Sequence, residues 1–387
     1  MLRNPEKADM QKFITLLFIG LLSIQLIAQP QNAEKRLQQL VEKTPAVGLA
    51  VVVVKNNKII YKQSLGYKNL ENNQPLTDQS LFRIASISKS FTATALLQLV
   101  EEKRITLDDD ISSLLGFPVR NPAYPDKIIT LRLLLSHRSS LNDSQGYFNL
   151  DVIDPATNPD FSKCFNNYAP GAGYQYCNLN FNIAGTILER LTGVRFDAYI
   201  KQTILNPLGI EGGYCVDSLD NQKFATLYEY KTADNKFLPS AGAYASRSSE
   251  LNSYKMGRST PLFSPTGGLK ISATGLATYM MMHCQMGKYK GGRLLKKKTA
   301  KVMQTPLSAD GSDQYGLALW KTDKLIPGRT LTGHTGSAYG LNSAMFFDQQ
   351  RKNGMIVICN GSRVTYKEGY PIIIREALQI LYEEFLQ

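Results

Sequence analysis

The strongest constraint on the fold is that strand-forming residues gather at the two ends of the chain and helix-forming residues lie between them. Residues 46–54 form an apolar, β-branched run, Lys55-Asn56-Asn57-Lys58 is a turn signal, and residues 59–65 resume as a strand. That pattern predicts a hairpin. Near the other end, residues 341–347 and 355–359 flank a polar stretch and predict a second hairpin. Residues 371–386 then place Ile374, Leu378, Leu381 and Phe385 on one helical stripe. The middle differs: residues 131–135, 179–191 and 196–204 read as helices joined by long loops rich in Asn, Pro, Gly and Tyr. The expectation is an α/β lobe interrupted by a helical lobe, with a cleft between them that suits a binding site.

Composition narrows the function classes. Of 387 residues, 43% are hydrophobic and 20% charged, the mix of a folded globular chain. The three histidines, His137, His283 and His334, lie far apart, and there is no H-E-x-x-H or C-x-x-C. No metal site and no cofactor is therefore expected, and neither a phosphate-binding nor a dinucleotide fingerprint occurs. The formal net charge is +12, but Lys and Arg are scattered. The densest run, Lys296-Lys297-Lys298 with Lys301, fits a solvated helix face better than a nucleic-acid groove. Outside the cytoplasm such a charge would favour anionic envelope polymers. Five cysteines (Cys164, Cys177, Cys215, Cys284, Cys359) leave at least one unpaired; either one or two disulfides form, or all five are small buried residues.

The N-terminus reads as a targeting segment. Lys12 precedes an apolar stretch over residues 13–28, and polar Gln29-Pro30-Gln31-Asn32 follows. This predicts a signal peptide over residues 1–28, cleaved near Ala28, and a periplasmic or secreted product with no stable membrane insertion after processing. Met10 stands as an alternative start.

Three short motifs carry chemistry. Ser86 and Lys89, in Ser86-Ile87-Ser88-Lys89, would share one face of the helix expected to run to Lys103. A serine hydroxyl becomes a nucleophile when a base takes its proton, and an amine whose pKa is lowered by burial can do so. Tyr176-Cys177-Asn178 offers a phenol that a neighbouring Lys cation would lower into the range of a general base, and an amide that orients both. In Gly333-His334-Thr335-Gly336-Ser337, Gly336 would let a ligand approach the backbone, and the Ser337 N–H would face an acyl oxygen.

In order and setting these motifs resemble the serine β-lactamase-like and penicillin-binding protein superfamily, most closely the class C-like branch with its Y-x-N element. Residues 47–51, 81–89, 133–137, 267–272 and 315–317 carry supporting similarity. The resemblance implies an α/β (α+β) fold with an antiparallel sheet flanked by N- and C-terminal helices and an inserted all-helical lobe. Residues 29–387 would form one catalytic domain, with the α/β lobe at about 34–103 and 266–387 and the helical lobe at about 104–265. It also implies Ser86 as the acylated nucleophile, Lys89 as its proton partner and Tyr176 as general base. Asn178 would contact the substrate amide, the Ser86 and Ser337 N–H groups would form the oxyanion hole, and His334 and Thr335 would face a substrate carboxylate.

Two departures matter. His334 stands where β-lactamases usually have Lys, and Ser139-Ser140 where relatives often have Ser-Gly. No E-x-x-L-N segment occurs. The implied function is an exported serine hydrolase that forms an acyl-enzyme on an amide or ester. A D-amino-acid peptide, carboxypeptidase-like, or an ester ranks above a β-lactam, because imidazole with a pKa of about 6.5 is a weaker cation than Lys. The KM for an acidic substrate would then rise with pH through that range. The alternative is a non-catalytic penicillin-binding or ligand-binding receptor of the same fold. The expected partner is a small-molecule or peptide substrate, cell-wall material included, acting on a monomer. The aromatics Tyr228, Tyr230, Phe237, Tyr244 and Tyr254 either wall the cleft or fill the core.

Overall fold

The structure, a computed structural model, describes residues 31–387 except Ser312. The expected signal segment with its cleavage point at Ala28 lies outside the described residues. The main sheet has nine antiparallel strands and is built from both ends of the chain, as the sequence pattern requires. Strand Gly48–Lys55 lies in its interior, pairing with Lys58–Asn69 on one side and Asn353–Cys359 on the other, in a register that sets Leu49 opposite Cys359. Asn56 and Asn57 both have positive φ (52° and 59°), which is what a two-residue turn matched to strand twist demands. Beyond Asn353–Cys359 follow Leu341–Asp348, Arg329–Ala338, Trp320–Ile326 and two shorter strands.

The two-residue period of a strand decides which core each side chain joins. Leu49, Val51 and Val53 face a cluster with Ala33, Leu37 and Leu40 of the helical residues 31–43 and with Ile374, Leu378 and Leu381 of helix Ile372–Phe385. Ala50, Val52 and Val54 face the second cluster. There the sheet is covered by helix Ala273–Cys284 and, deeper in, by Ser88–Glu101, which is buried around most of its circumference. Both faces of the central strand are therefore sealed, which is why it reads as a continuous apolar run rather than an alternating one.

The second cluster continues without a break into the inserted segment, through Leu131, Leu134, Leu179, Ile183 and Ile187. Helix Asn178–Thr192 ends at Gly193 in the left-handed conformation (φ 67°), and the 196–204 helix is Phe196–Ile200 followed by a π-helical turn, Lys201–Leu205. The insertion is not all-helical, contrary to the expectation. Tyr228–Lys231 and Lys236–Pro239 form a small hairpin, and Gly212–Gly213 pairs with Lys270–Ile271, itself paired with Phe82–Arg83. Tyr and Phe interleaved with polar residues favour such short strands. The lysine run lies on helix Lys297–Gln304. All five cysteines are buried thiols without disulfides.

Candidate active site

Ser86 is not on a helix. It sits in the 3₁₀ turn Ala85–Ile87, two residues before helix Ser88–Glu101 begins. Ala85 has φ 50°, a left-handed conformation that costs a non-glycine residue about 1–2 kcal/mol. The turn is held from behind by the sheet: Ser343 donates to the Ile84 carbonyl at 3.1 Å, and a Cβ on Gly336 would come within 2.2 Å of that same oxygen. Gly336 is thus required by the protein's own backbone, whereas the sequence reading assigned its open space to a ligand.

Lys89 is the second residue of helix Ser88–Glu101 and is fully buried. Its Nζ donates to Asn178 Oδ1 at 2.9 Å and the Thr266 carbonyl at 3.1 Å, and lies 3.0 Å from Ser86 Oγ. Desolvation pushes the amine down to about 7, against a smaller opposing pull from Asp143. Near neutral pH its lone pair can accept the Ser86 proton. The Tyr176 phenol hydrogen-bonds with Ser86, and its ring stands 5.0 Å from Lys89 Nζ. Desolvation pushes this phenol well above its usual range, the opposite of what the sequence reading expected. The amine, not the phenol, is the group poised to titrate; burial penalises the charged form of each, lowering the one and raising the other.

Asn178 is oriented by a residue the sequence reading missed. Asp143 accepts from Asn178 Nδ2 at 2.8 Å and from the backbone N–H groups of Asn178 and Leu179 at 2.9 and 3.0 Å. The carboxylate thereby caps the positive end of helix Asn178–Thr192 and turns the amide oxygen towards Lys89. Thr266, also missed, contributes its carbonyl to Lys89 and donates its hydroxyl to Asn182 Oδ1 at 3.1 Å. Asp143 carried no sequence signal, since Asn-Asp-Ser in a loop is ordinary turn chemistry. Thr266 sits beside the Gly267-Gly268 stretch that did stand out.

His137 and His334 flank Tyr176. His137 Nδ1 accepts the Cys177 N–H at 3.1 Å, and its ring packs 4.3 Å from that of Tyr176. His334 is 1% exposed and its ring lies 6.2 Å from Tyr176. His334 Nδ1 is bonded to the Thr335 carbonyl, which leaves Nε2 to accept from the Tyr315 hydroxyl at 3.1 Å. Desolvation, with Lys89 adding to it, pushes His334 down to about 3. A neutral imidazole therefore stands where a partly protonated one was expected, and the titration anticipated at pH 6–7 is moved out of range. Thr335 is half-buried and Ser337 exposed on the same strand, Arg329–Ala338, which packs against the Ser86 turn. Ser140, at the second departure, holds φ 66° while its hydroxyl accepts from Asn121 at 3.1 Å. Among the described residues no group of three or more His, Cys, Asp and Glu could hold a metal ion, and no helix is long and apolar enough to cross a membrane.

Known proteins resemble this chain in sequence and in fold. Penicillin-binding protein 4* of Bacillus subtilis (strain 168) is 30% identical over 194 residues, 46% of this chain and 41% of that protein. Esterase EstB of Burkholderia gladioli is 29% identical over 206 residues, 49% of this chain and 52% of its own length. The chain thus spans about half the length of the curated relatives it matches. In fold it is similar to the octameric penicillin-binding protein homologue from Pyrococcus abyssi, with a TM-score of 0.71 at 24% identity over 92% of this chain and 76% of that one. The Beta-lactamase family model matches residues 33–379, nearly every element described above, and the chain belongs to that family.

Proposed function

We propose that the protein is a serine hydrolase that forms an acyl-enzyme on Ser86 and acts on esters or amides, D-amino-acid peptides among them. The observation that carries this reading is the 3.0 Å contact between Ser86 Oγ and the buried Lys89 amine, whose pKa of about 7 leaves it free to act as a base. Lys89 takes the Ser86 proton as Oγ adds to the substrate carbonyl. The N–H groups of Ser86 and Ser337 hold the resulting oxyanion. Tyr176 gives its phenol proton to the leaving alcohol or amine and recovers one from the Lys89 ammonium. Deacylation reverses the path: water adds to the ester, its proton passes to the Tyr176–Lys89 pair, and Ser86 Oγ leaves with a proton as the acid departs.

Neutral His334 offers no cation at that point, which supports esters and amides over substrates that present a carboxylate there. Export with cleavage near Ala28 remains part of the proposal, and mass spectrometry of the protein from its native host tests it. The reaction class is tested by labelling with a fluorophosphonate or fluorescent penicillin, with peptide mapping, alongside turnover of a p-nitrophenyl ester, a D-Ala-D-Ala peptide and nitrocefin. A label on Ser86 and ester or amide turnover are expected. A folded protein that neither labels nor turns over any of the three would overturn the reading.

A further inference from the structure

A cavity of about 640 Å³, within the range that takes small organic ligands, opens beside strand Phe82–Arg83, which leads into the Ser86 turn. Its walls include Arg83, Lys270, Tyr214, Tyr254, Phe263 and Tyr339. Arg83 is three residues before Ser86, and its Nε donates at 3.0 Å to the carbonyl of Gly267, the neighbour of Thr266. The Arg83 wall of the cavity and Lys89 are therefore tied to consecutive carbonyls of one segment, Gly267 and Thr266.

Two of its cations lack an anionic partner. Lys270 is 4% exposed, and its Nζ makes one hydrogen bond, to the Tyr214 carbonyl at 2.6 Å, out of three that an ammonium can donate. Arg83 donates to the Gly267 and Ala243 carbonyls and stacks 4.7 Å over the Tyr339 ring. Among the described residues no carboxylate lies within ion-pair distance of either. The other charges at hand are engaged: Arg247 pairs with Glu250 at 2.5 Å, Asp197 with Arg195 at 2.5 Å, and Asp217 accepts from Ser246 at 2.8 Å and from Ser248. Burying a cation unpaired is expensive, and desolvation with the Arg83 charge pushes Lys270 down to about 7. An anion in the cavity would relieve that cost.

Tyr176, His334 and Tyr315 do not line this cavity. If the leaving group departs towards Tyr176, the acyl part of the substrate extends away from it. We infer that the cavity is an acyl-group pocket in which Arg83 and Lys270 bind a carboxylate at the far end of the acyl chain. This rests on the hydrolase reading above and names a substrate class for it: esters or amides of dicarboxylic or similarly anionic acyl groups.

The test keeps the leaving group constant. p-Nitrophenyl hemiadipate, with a free carboxylate, is compared with its neutral methyl ester in the same protein. The wild-type kcat/KM should favour the acid by about tenfold or more, the scale of one hydrogen bond to a charged group. Lys270→Met, which keeps chain length, and Arg83→Gln should each bring that ratio towards one. If Arg83→Gln does not fold, Lys270→Met decides. A wild-type ratio at or below one, with the neutral ester hydrolysed, overturns the inference and leaves the hydrolase reading standing. A ratio unchanged in the variants does the same. Millimolar inorganic phosphate that speeds the neutral ester as much as the tethered carboxylate does would reassign the cavity to a free anion and so overturn the acyl-pocket assignment. Failure of both esters together with no label on Ser86 would sink the hydrolase reading, and this inference with it.

Discussion

Lys89 and Lys270 are buried almost equally, at 0% and 4% exposure, and desolvation lowers each to about 7. Their neighbours are not alike. Lys89 meets a hydroxyl, an amide oxygen and a carbonyl, the first of them a nucleophile candidate, so its three positions are filled from within the protein. Lys270 meets one carbonyl and faces a cavity. The contrast teaches that a depressed lysine pKa alone does not mark a base. What the amine touches decides whether burial yields a proton acceptor or an unsatisfied cation.

The largest test of that contrast is on the Lys89 side. Ser86→Ala should lower hydrolysis by on the order of 10³–10⁶, as when one member of a cooperating catalytic unit is removed. Near-wild-type rates from a folded Ser86→Ala protein would end the nucleophile assignment. Lys89→Met and Tyr176→Phe should approach the same loss, and the double variant should be little worse than either. Additive losses in kcat/KM would mean that amine and phenol act independently.

The pH profile separates the two lysines. A base must be unprotonated, so kcat/KM for a neutral ester should rise with pH through about 7 and level off above it. Lys270→Met should leave that midpoint in place. A midpoint that vanishes with Lys270 would exchange the two roles.

Stability gives a smaller effect shared by both. Unfolded, each lysine holds its proton up to about its ordinary 10.5, whereas folded it loses it near 7. Between those values the unfolded state binds more protons, so stability should rise with pH by up to about 1.4 kcal/mol per unit for each lysine. It should be lowest below 7. Urea titrations from pH 6 to 10 measure the slope, and Lys270→Met should remove its own share of it and raise Tm at pH 6. An unchanged slope would mean that Lys270 is solvated.

The smallest effect concerns His334. Because its imidazole titrates near 3, KM profiles for a neutral substrate and for one whose only carboxylate lies on the leaving-group side, away from Lys270, should superimpose between pH 5 and 8. His334→Gln should cost only the few-fold expected of one neutral hydrogen bond, to Tyr315. A KM that rises with pH for the acidic substrate alone would restore the cationic role.

Much of the architecture was legible because it rests on local pattern. Both hairpins, the C-terminal helix with Ile374, Leu378 and Leu381, and the helix that opens at the Tyr176 motif occur within a few residues of where periodicity puts them. The insertion's small hairpin was missed, since Tyr228 and Tyr230 fit a loop or a short strand equally well. Of the aromatics left open, Tyr254 lines the cavity, while Tyr228 is core and Tyr244 stacks on Phe224.

The sequence by itself determined which groups are available: a serine and a lysine three positions apart, a tyrosine and asparagine ahead of a helix, and a histidine on a late strand. Local spacing and residue type suffice for that. Only the tertiary structure decided their protonation and partners. The Lys89 amine is lowered, the Tyr176 phenol raised and His334 neutral because distant segments exclude water from all three. Asp143 and the Thr266 carbonyl reach Asn178 and Lys89 from far along the chain, and no local pattern encodes that contact. Desolvation and long-range hydrogen bonding depend on what packs around a group, which is settled only when the whole chain has folded.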